Sequence, residues 1–319
     1  MISAQHLKKV YKTHIRQGNI LKDVFNRHYK EHIAVDDVSF EIDENELIGF
    51  IGPNGAGKTT TLKMCAGILH PTSGKLEVLG SNPFEKKHSF LKQVAFVMGQ
   101  RNQLIWDLPA TDSFTLQKAI YEVNDREFKK TVAHLVDILK CKDLVEKPIK
   151  TLSLGERMKM ELIAGLLYRP KLVFFDEPTI GLDIFSQEAI REFIREYQHT
   201  YHATVILTSH YLEDVKQLAK RLIIINKGKI LYDDPLDKII EQYSQKKRIK
   251  ITLSKPVSSK IINDIKKPSL FVFPQIVFTV KPSEIPEIIK KISAVLPFSD
   301  LTVEDESIET IIKLFFEKN

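Results

Sequence analysis

The stretch Gly52-Pro53-Asn54-Gly55-Ala56-Gly57-Lys58-Thr59 constrains this chain more than any other. An apolar run over residues 46–51 leads into it, and the pattern after it predicts a helix over residues 58–68. Glycines at 52, 55 and 57 let the backbone wrap closely around an anion with its N–H groups pointing inward. The helix that follows presents its positive end to the same anion. Lys58 adds a mobile point charge for the β- and γ-phosphates. Thr59 offers a hydroxyl to Mg²⁺, and Thr60 one to a phosphate oxygen. Gly52, Asn54, Gly55, Ala56, Gly57, Lys58, Thr59 and Thr60 are therefore candidate nucleotide-binding residues.

A strand–loop–helix of this kind needs a sheet around it, and the rest of the chain supplies one. Residues 35–42 alternate apolar and polar, and residues 93–98, 172–175 and 204–208 are short apolar runs of buried parallel-strand type. Between them, residues 111–147 are helical in pattern, with Phe128, Val132, Leu135, Val136 and Leu139 on one face. Strands alternating with helices predict an α/β domain with a largely parallel sheet over residues 1–241, its helical subdomain at about 101–165. After the basic stretch 245–250 the pattern restarts. Strand, helix, strand (270–280), helix (283–296), strand (301–303) and helix (307–318) predict a small α+β appendage over 242–319.

A second group of side chains lies where such a sheet would deliver it. Leu172-Val173-Phe174-Phe175-Asp176-Glu177-Pro178 is an apolar strand carrying two acids to its carboxyl end, the Walker B arrangement. Asp176 is a candidate metal-holding residue. Glu177 is placed to polarise or deprotonate an attacking water, help worth about 10²–10⁴ in rate.

Downstream of the glycine loop, Thr151-Leu152-Ser153-Leu154-Gly155-Glu156-Arg157 resembles the signature loop of ATP-binding cassette (ABC) proteins. Leu154 and Glu156 stand where the family usually has glycine and glutamine; Ser153 and Gly155 match. Gln100 resembles the Q-loop glutamine, Gly181-Leu182-Asp183 the D-loop, and His210 in Thr208-Ser209-His210 the switch histidine. The resemblance covers about residues 1–235. It implies a P-loop NTPase of ABC type that binds ATP and Mg²⁺. Glu177, His210, Gln100 and Lys58 would be its catalytic residues, and Thr59, Gln100 and Asp176 would lie around the metal. Ser153, Gly155 and Asp183 would complete the nucleotide site of an opposite protomer in a head-to-tail dimer. An aromatic ring would stack on adenine, and Tyr11 and Tyr29 both fit its place.

Three readings of such a chain compete: the ATPase subunit of a membrane transporter, a soluble cassette ATPase acting on ribosomes or DNA, and a non-hydrolysing regulator. The last is disfavoured because Lys58, Asp176, Glu177 and His210 are all present. A single P-loop and no coiled-coil heptads disfavour the second, so no nucleic-acid partner is expected. The first predicts a homodimer or heterodimer of nucleotide domains bound to separate polytopic membrane chains. It resembles exporters of multidrug and antibiotic type and places the chain in the cytoplasm on the inner face of the cell membrane. Composition agrees. No apolar run approaches the ~20 residues needed to span a bilayer, and residues 1–12 lack the apolar core of a leader. Two cysteines, Cys65 and Cys141, form no disulfide framework or zinc site and suit a reducing compartment. The net charge of +6, from 47 basic against 41 acidic residues, suits an anionic surface or simply a solvated one. An extra segment, residues 12–32, places Leu21, Val24, Phe25 and His28/Tyr29 at helical spacing with Lys22, Arg27 and Lys30 between them. It reads either as a solvated surface helix or as a basic amphipathic helix at the membrane face.

Overall fold

The computed structural model describes residues 1–15, 28–99, 103–209, 211–243, 246–305 and 308–318. The chain divides into two compact units, Met1–Asp234 and Pro235–Asn319. The division falls ahead of the 241/242 boundary read from sequence because the helix Leu236–Tyr243 packs on the helix Ile308–Lys318 within the second unit.

In the first unit β1 (Ile2–Ile15), β2 (His28–Ile42) and β4 (Ser73–Val78) form an antiparallel sheet in the order β2-β1-β4. A six-stranded sheet lies beside it in the order β5-β6-β7-β3-β8-β9. Its strands are β3 (Leu47–Ile51), β5 (Val94–Met98), β6 (Leu172–Asp176), β7 (Thr204–Thr208), β8 (Arg221–Asn226) and β9 (Lys229–Pro235). The pairs β5/β6, β6/β7, β7/β3 and β3/β8 are parallel. Parallel strands covered on both faces are apolar along their middles, which is why Leu172–Phe175 and Val205–Leu207 are uninterrupted apolar runs. Their alternation sorts the core into two layers. Val173, Phe175, Val205 and Leu207 face a cluster with α3 (Ala110–Ile120), α4 (Asp125–Ile138), α5 (Leu154–Leu166) and α6 (Ile184–Tyr201). Leu172, Phe174 and Ile206 face a cluster shared with the antiparallel sheet and α1 (Lys58–Cys65). Because β3, β6 and β7 run in the same direction, their carboxyl ends, where α/β sheets hold ligands, meet on one edge.

The second unit is α+β, as the sequence predicts. The antiparallel sheet β11-β12-β10-β13, with β10 at Lys247–Leu253 and β13 at Phe298–Asp305, packs Ile249, Ile251 and Phe278 on Ile262, Ile288 and Ile292 of two helices. Residues 270–280 are not one strand but a hairpin, β11 (Leu270–Val272) and β12 (Gln275–Val280). Pro274 has no N–H to continue a ladder, and the chain turns there.

The 12–32 segment also departs from the helical pattern at both ends. β1 continues past Tyr11 to Ile15, and β2 begins at His28, in register from Ile15↔His28 to Tyr11↔His32. Backbone pairing outweighs the helical spacing of His28/Tyr29. Leu21, Lys22, Val24, Phe25 and Arg27 lie outside the described residues.

Candidate active site

The glycine loop joins β3 to α1, as its sequence requires. A Cβ on Gly52 would lie 2.1 Å from the Ile225 carbonyl oxygen, and one on Gly57 2.4 Å from that of Ala34. Gly57 also precedes α1 at φ 107°, a left-handed conformation that glycine alone adopts readily. Lys58 opens the helix, only 6% exposed, and donates to the carbonyls of Gly52 (2.7 Å) and Pro53 (3.2 Å). Burial pushes its ammonium pKa below the ordinary lysine value, while the Glu177 and Asp176 carboxylates pull the other way.

Thr59 Oγ1 donates to both carboxylate oxygens of Asp176, at 3.0 and 2.9 Å. Thr208, at the end of the neighbouring β7, is buried and binds both acids of the pair. Its hydroxyl donates to Asp176 Oδ1 (2.7 Å) and accepts the Glu177 N–H (3.1 Å), which its carbonyl also accepts (3.1 Å). Glu177 is held at φ 57°, an uncommon conformation for a side-chain-bearing residue. One cavity of about 360 Å³ is lined by Asn54 to Thr60, Ala34, Tyr11, His32 and Glu177. It therefore gathers the phosphate loop, an aromatic ring and a carboxylate.

Strand alternation separates the two tyrosines. Tyr11 and His32 are paired across β1 and β2 and both line the cavity. Tyr29 precedes His32 by three positions on the same strand and so faces the other way, with its ring edge-on to His14 at 5.9 Å.

The signature residues form a separate cluster. Ser153 caps α5: its hydroxyl accepts the Glu156 N–H (3.3 Å) and the Glu156 carboxylate accepts the Ser153 N–H (2.9 Å). These bonds from Ser153 hold the Glu156 carboxyl below its ordinary pKa. The acid at the usual glutamine position is thus satisfied by its own helix end. Gly155 abuts α6, where a Cβ would lie 2.3 Å from Ser186 Oγ. That hydroxyl donates to Asp183 Oδ2 (2.6 Å), and Asp183 in turn caps α6 through the N–H groups of Phe185 and Ser186. Ser153, Gly155 and Asp183 are thus brought together, but none of them lines the cavity around Lys58. Gln100 and His210 lie outside the described residues.

Sequence reasoning gave no role to His32 or Ala34 in the cavity wall, or to Thr208. Only the β1/β2 register, which sets His32 beside Tyr11, reveals the first. The signal for the Glu156 cap was present, since Ser-x-x-Glu before an apolar run is a capping box.

Residues 35–180 match the model of the ABC transporter family. The chain is 31% identical over 208 residues to the ABC transporter ATP-binding protein NatA of Bacillus subtilis, covering 65% of this chain and 84% of that protein. The chain belongs to the ABC transporter family. As an ATP-binding subunit of that family it is an ATPase. It is also 29% identical to the bacitracin transport ATP-binding protein BcrA of Bacillus licheniformis, over 66% of this chain and 67% of that one. Its fold is shared with a dimeric ATP-binding cassette solved in a post-hydrolysis state with ADP and Pi. The TM-score is 0.62 at 20% identity, over 74% of this chain and 99% of that one. The expected α/β class, of ABC type with a helical subdomain and an α+β appendage, is borne out. Among the described residues no helix is long and apolar enough to cross a membrane.

Proposed function

We propose that this ABC subunit powers an exporter by closing two nucleotide domains head-to-tail over two Mg-ATP molecules. The observation that carries the reading is the division of the site. One cavity supplies the phosphate loop, Tyr11 and Glu177, while the Ser153–Gly155–Asp183 cluster lies outside it. A single chain thus presents two half-sites. Beside the second, Phe185 is 84% and Ile184 70% exposed, large apolar side chains suited to cover by another nucleotide domain.

In this reading Lys58, Thr60 and the loop N–H groups hold the phosphates of ATP, and Tyr11 stacks on adenine. Thr59 and Asp176 are hard oxygen donors, a set that suits Mg²⁺ shared with substrate phosphates and water. Among the described residues no cluster of three or more His, Cys, Asp and Glu side chains competes as a metal site. When bound, Mg²⁺ neutralises charge on the β- and γ-oxygens. Glu177 orients the attacking water and draws its proton. Gln100 and His210 enter this reading from their sequence motifs alone.

The membrane chains would dock on a second groove, lined by Ile68, Leu91, Lys92, Ile120, Tyr121 and Tyr168, in which Ile68, Leu91 and Ile120 are exposed. Gln103, just after Gln100, lines the same groove. The chain would then sit on the inner face of the cell membrane. The likeness to the bacitracin transport protein supports export of an antibiotic-type cargo. Glu177→Gln tests the reading. The variant is expected to bind ATP, lose most hydrolysis and elute as an ATP-bound dimer on gel filtration with Mg-ATP. Near wild-type turnover would remove Glu177 from the mechanism.

A further inference from the structure

Glu177 stands in a left-handed backbone conformation that a residue with a side chain keeps only when its surroundings over-determine it. Upstream the constraint is visible. Thr208 accepts the Glu177 N–H through both its carbonyl and its hydroxyl. On the other side, the Glu177 carbonyl accepts the Ile180 N–H (3.3 Å) and presses on Gly99, where a Cβ would lie 2.1 Å away. The turn after Glu177 is bonded to a buried acid, Asp214, through Thr179.

Asp214 lies on the short helix Leu212–Leu218 and is fully buried. Its Oδ2 accepts two hydroxyl hydrogen bonds, from Thr179 Oγ1 and Ser209 Oγ, each at 2.5 Å. Its Oδ1 accepts from Arg191 Nη1 of α6 at 2.8 Å, and Arg191 is itself buried and bonded to Glu188. Ser209 Oγ also accepts the Tyr211 N–H at 2.9 Å, fixing the start of the same helix. Thr179 is two residues after Glu177, and Ser209 is the residue after Thr208. One carboxylate therefore bridges the segments leaving β6 and β7, immediately beyond the Glu177–Thr208 bonds. Removing two charges from water is costly, and a hydrophobic pair of the same size would often stabilise as well. What the hydrophobic pair would lack is the directional hold on two hydroxyls.

We propose that Asp214 is a positioning residue for hydrolysis: through Thr179 and Ser209 it fixes the turn that aims the Glu177 carboxylate. The proposal rests on the reading of Glu177 as the water-activating group. Arg191 supplies the counter-charge and holds the Asp214 carboxylate in place through the 2.8 Å bond to Oδ1. Asp214 is fully buried and does not line the cavity around Lys58. Its effect belongs on the chemical step and not on ATP affinity.

The test uses Thr179→Val in the full chain, because removing Asp214 itself would strand the Arg191 charge and threaten folding. The substitution deletes the hydroxyl link and leaves the Asp214–Arg191 pair in place. ATPase kcat is expected to fall at least tenfold, with the affinity for a fluorescent ATP analogue unchanged within twofold. Thr179→Ser, which restores the hydroxyl, is expected to recover most of the rate. Because the link acts through Glu177, Thr179→Val/Glu177→Gln is expected to be no slower than Glu177→Gln alone. A Thr179→Val enzyme within twofold of wild type, alongside an inactive Glu177→Gln, overturns this proposal and leaves the role of Glu177 intact. Losses that multiply in the double variant, or a matching loss of nucleotide affinity, overturn it too. A Glu177→Gln enzyme with normal turnover overturns both.

Discussion

Glu161 is the only glutamate among the described residues with a carboxyl pushed up to neutrality, and replacing it by glutamine has a calculable effect. The side chain is 2% exposed, in the middle of α5. Both its oxygens accept the Gln103 N–H at 3.0 Å, and the Leu104 N–H adds to them. Those bonds and the nearby Arg157 favour the charged form, but burial outweighs them and raises the pKa from 4.5 to about 7. Between these two values the folded protein holds a proton that the unfolded chain has lost. Stability due to this group is therefore full below pH 4.5 and declines as pH rises to about 7. At about 1.36 kcal/mol per pKa unit the loss reaches roughly 3 kcal/mol. Glutamine has nearly the same shape, keeps one carbonyl acceptor and does not titrate. The stability of Glu161→Gln relative to wild type should thus rise by about 3 kcal/mol between pH 4.5 and pH 8, most of it before pH 7. Urea unfolding at several pH values measures this difference. The single tryptophan, Trp106, stands over Arg157 of α5 and reports from that region. Other titrating groups are common to both proteins and cancel. A difference that is constant from pH 5 to pH 8 would refute the reasoning.

Three further substitutions probe the two proposed half-sites. Tyr11→Ser should weaken ATP binding by about 1–3 kcal/mol, the worth of one stacked ring, while Tyr29→Ser should leave it unchanged; equilibrium nucleotide titration distinguishes them, and the reverse order would place adenine on the other face of β1/β2. Gly155→Ala puts a methyl group 2.3 Å from Ser186 Oγ and must displace the Asp183 cap. It should cut ATPase activity at least tenfold with ATP affinity of the monomer intact, and full activity would show that this contact is dispensable.

The chemistry was more legible in the sequence than the topology. A phosphate loop needs glycine at 52 and 57 because neighbouring carbonyls leave no room for a side chain, so its motif is local and readable. The same holds for Asp176 and Glu177, delivered by an apolar strand. What failed depended on distant partners. His28 and Tyr29 continue the helical spacing of Leu21, Val24 and Phe25, yet they pair with Ile15 and His14 across β1 and β2. The face on which Tyr11 lies, and the presence of His32 beside it, follow from that register alone. In the second unit the apolar run 270–280 hides a hairpin that only Pro274 betrays. The helix Leu236–Tyr243 joins the second unit through a partner some seventy residues later in the chain. Asp214 reads as an ordinary helix acid until Thr179, Ser209 and Arg191 are seen converging on it.

The central claim is that each ATP is hydrolysed between two chains, and complementation tests it most directly. Lys58→Ala removes the phosphate ligand from one half-site but leaves Ser153 in place. Ser153→Arg blocks the other half-site but leaves Lys58. Each variant alone should lack ATPase activity. A mixed dimer contains one composite site with both residues intact, so mixing should restore activity in proportion to the heterodimer present. Heterodimers that form, as shown by two affinity tags, and yet remain inactive would contradict the shared site.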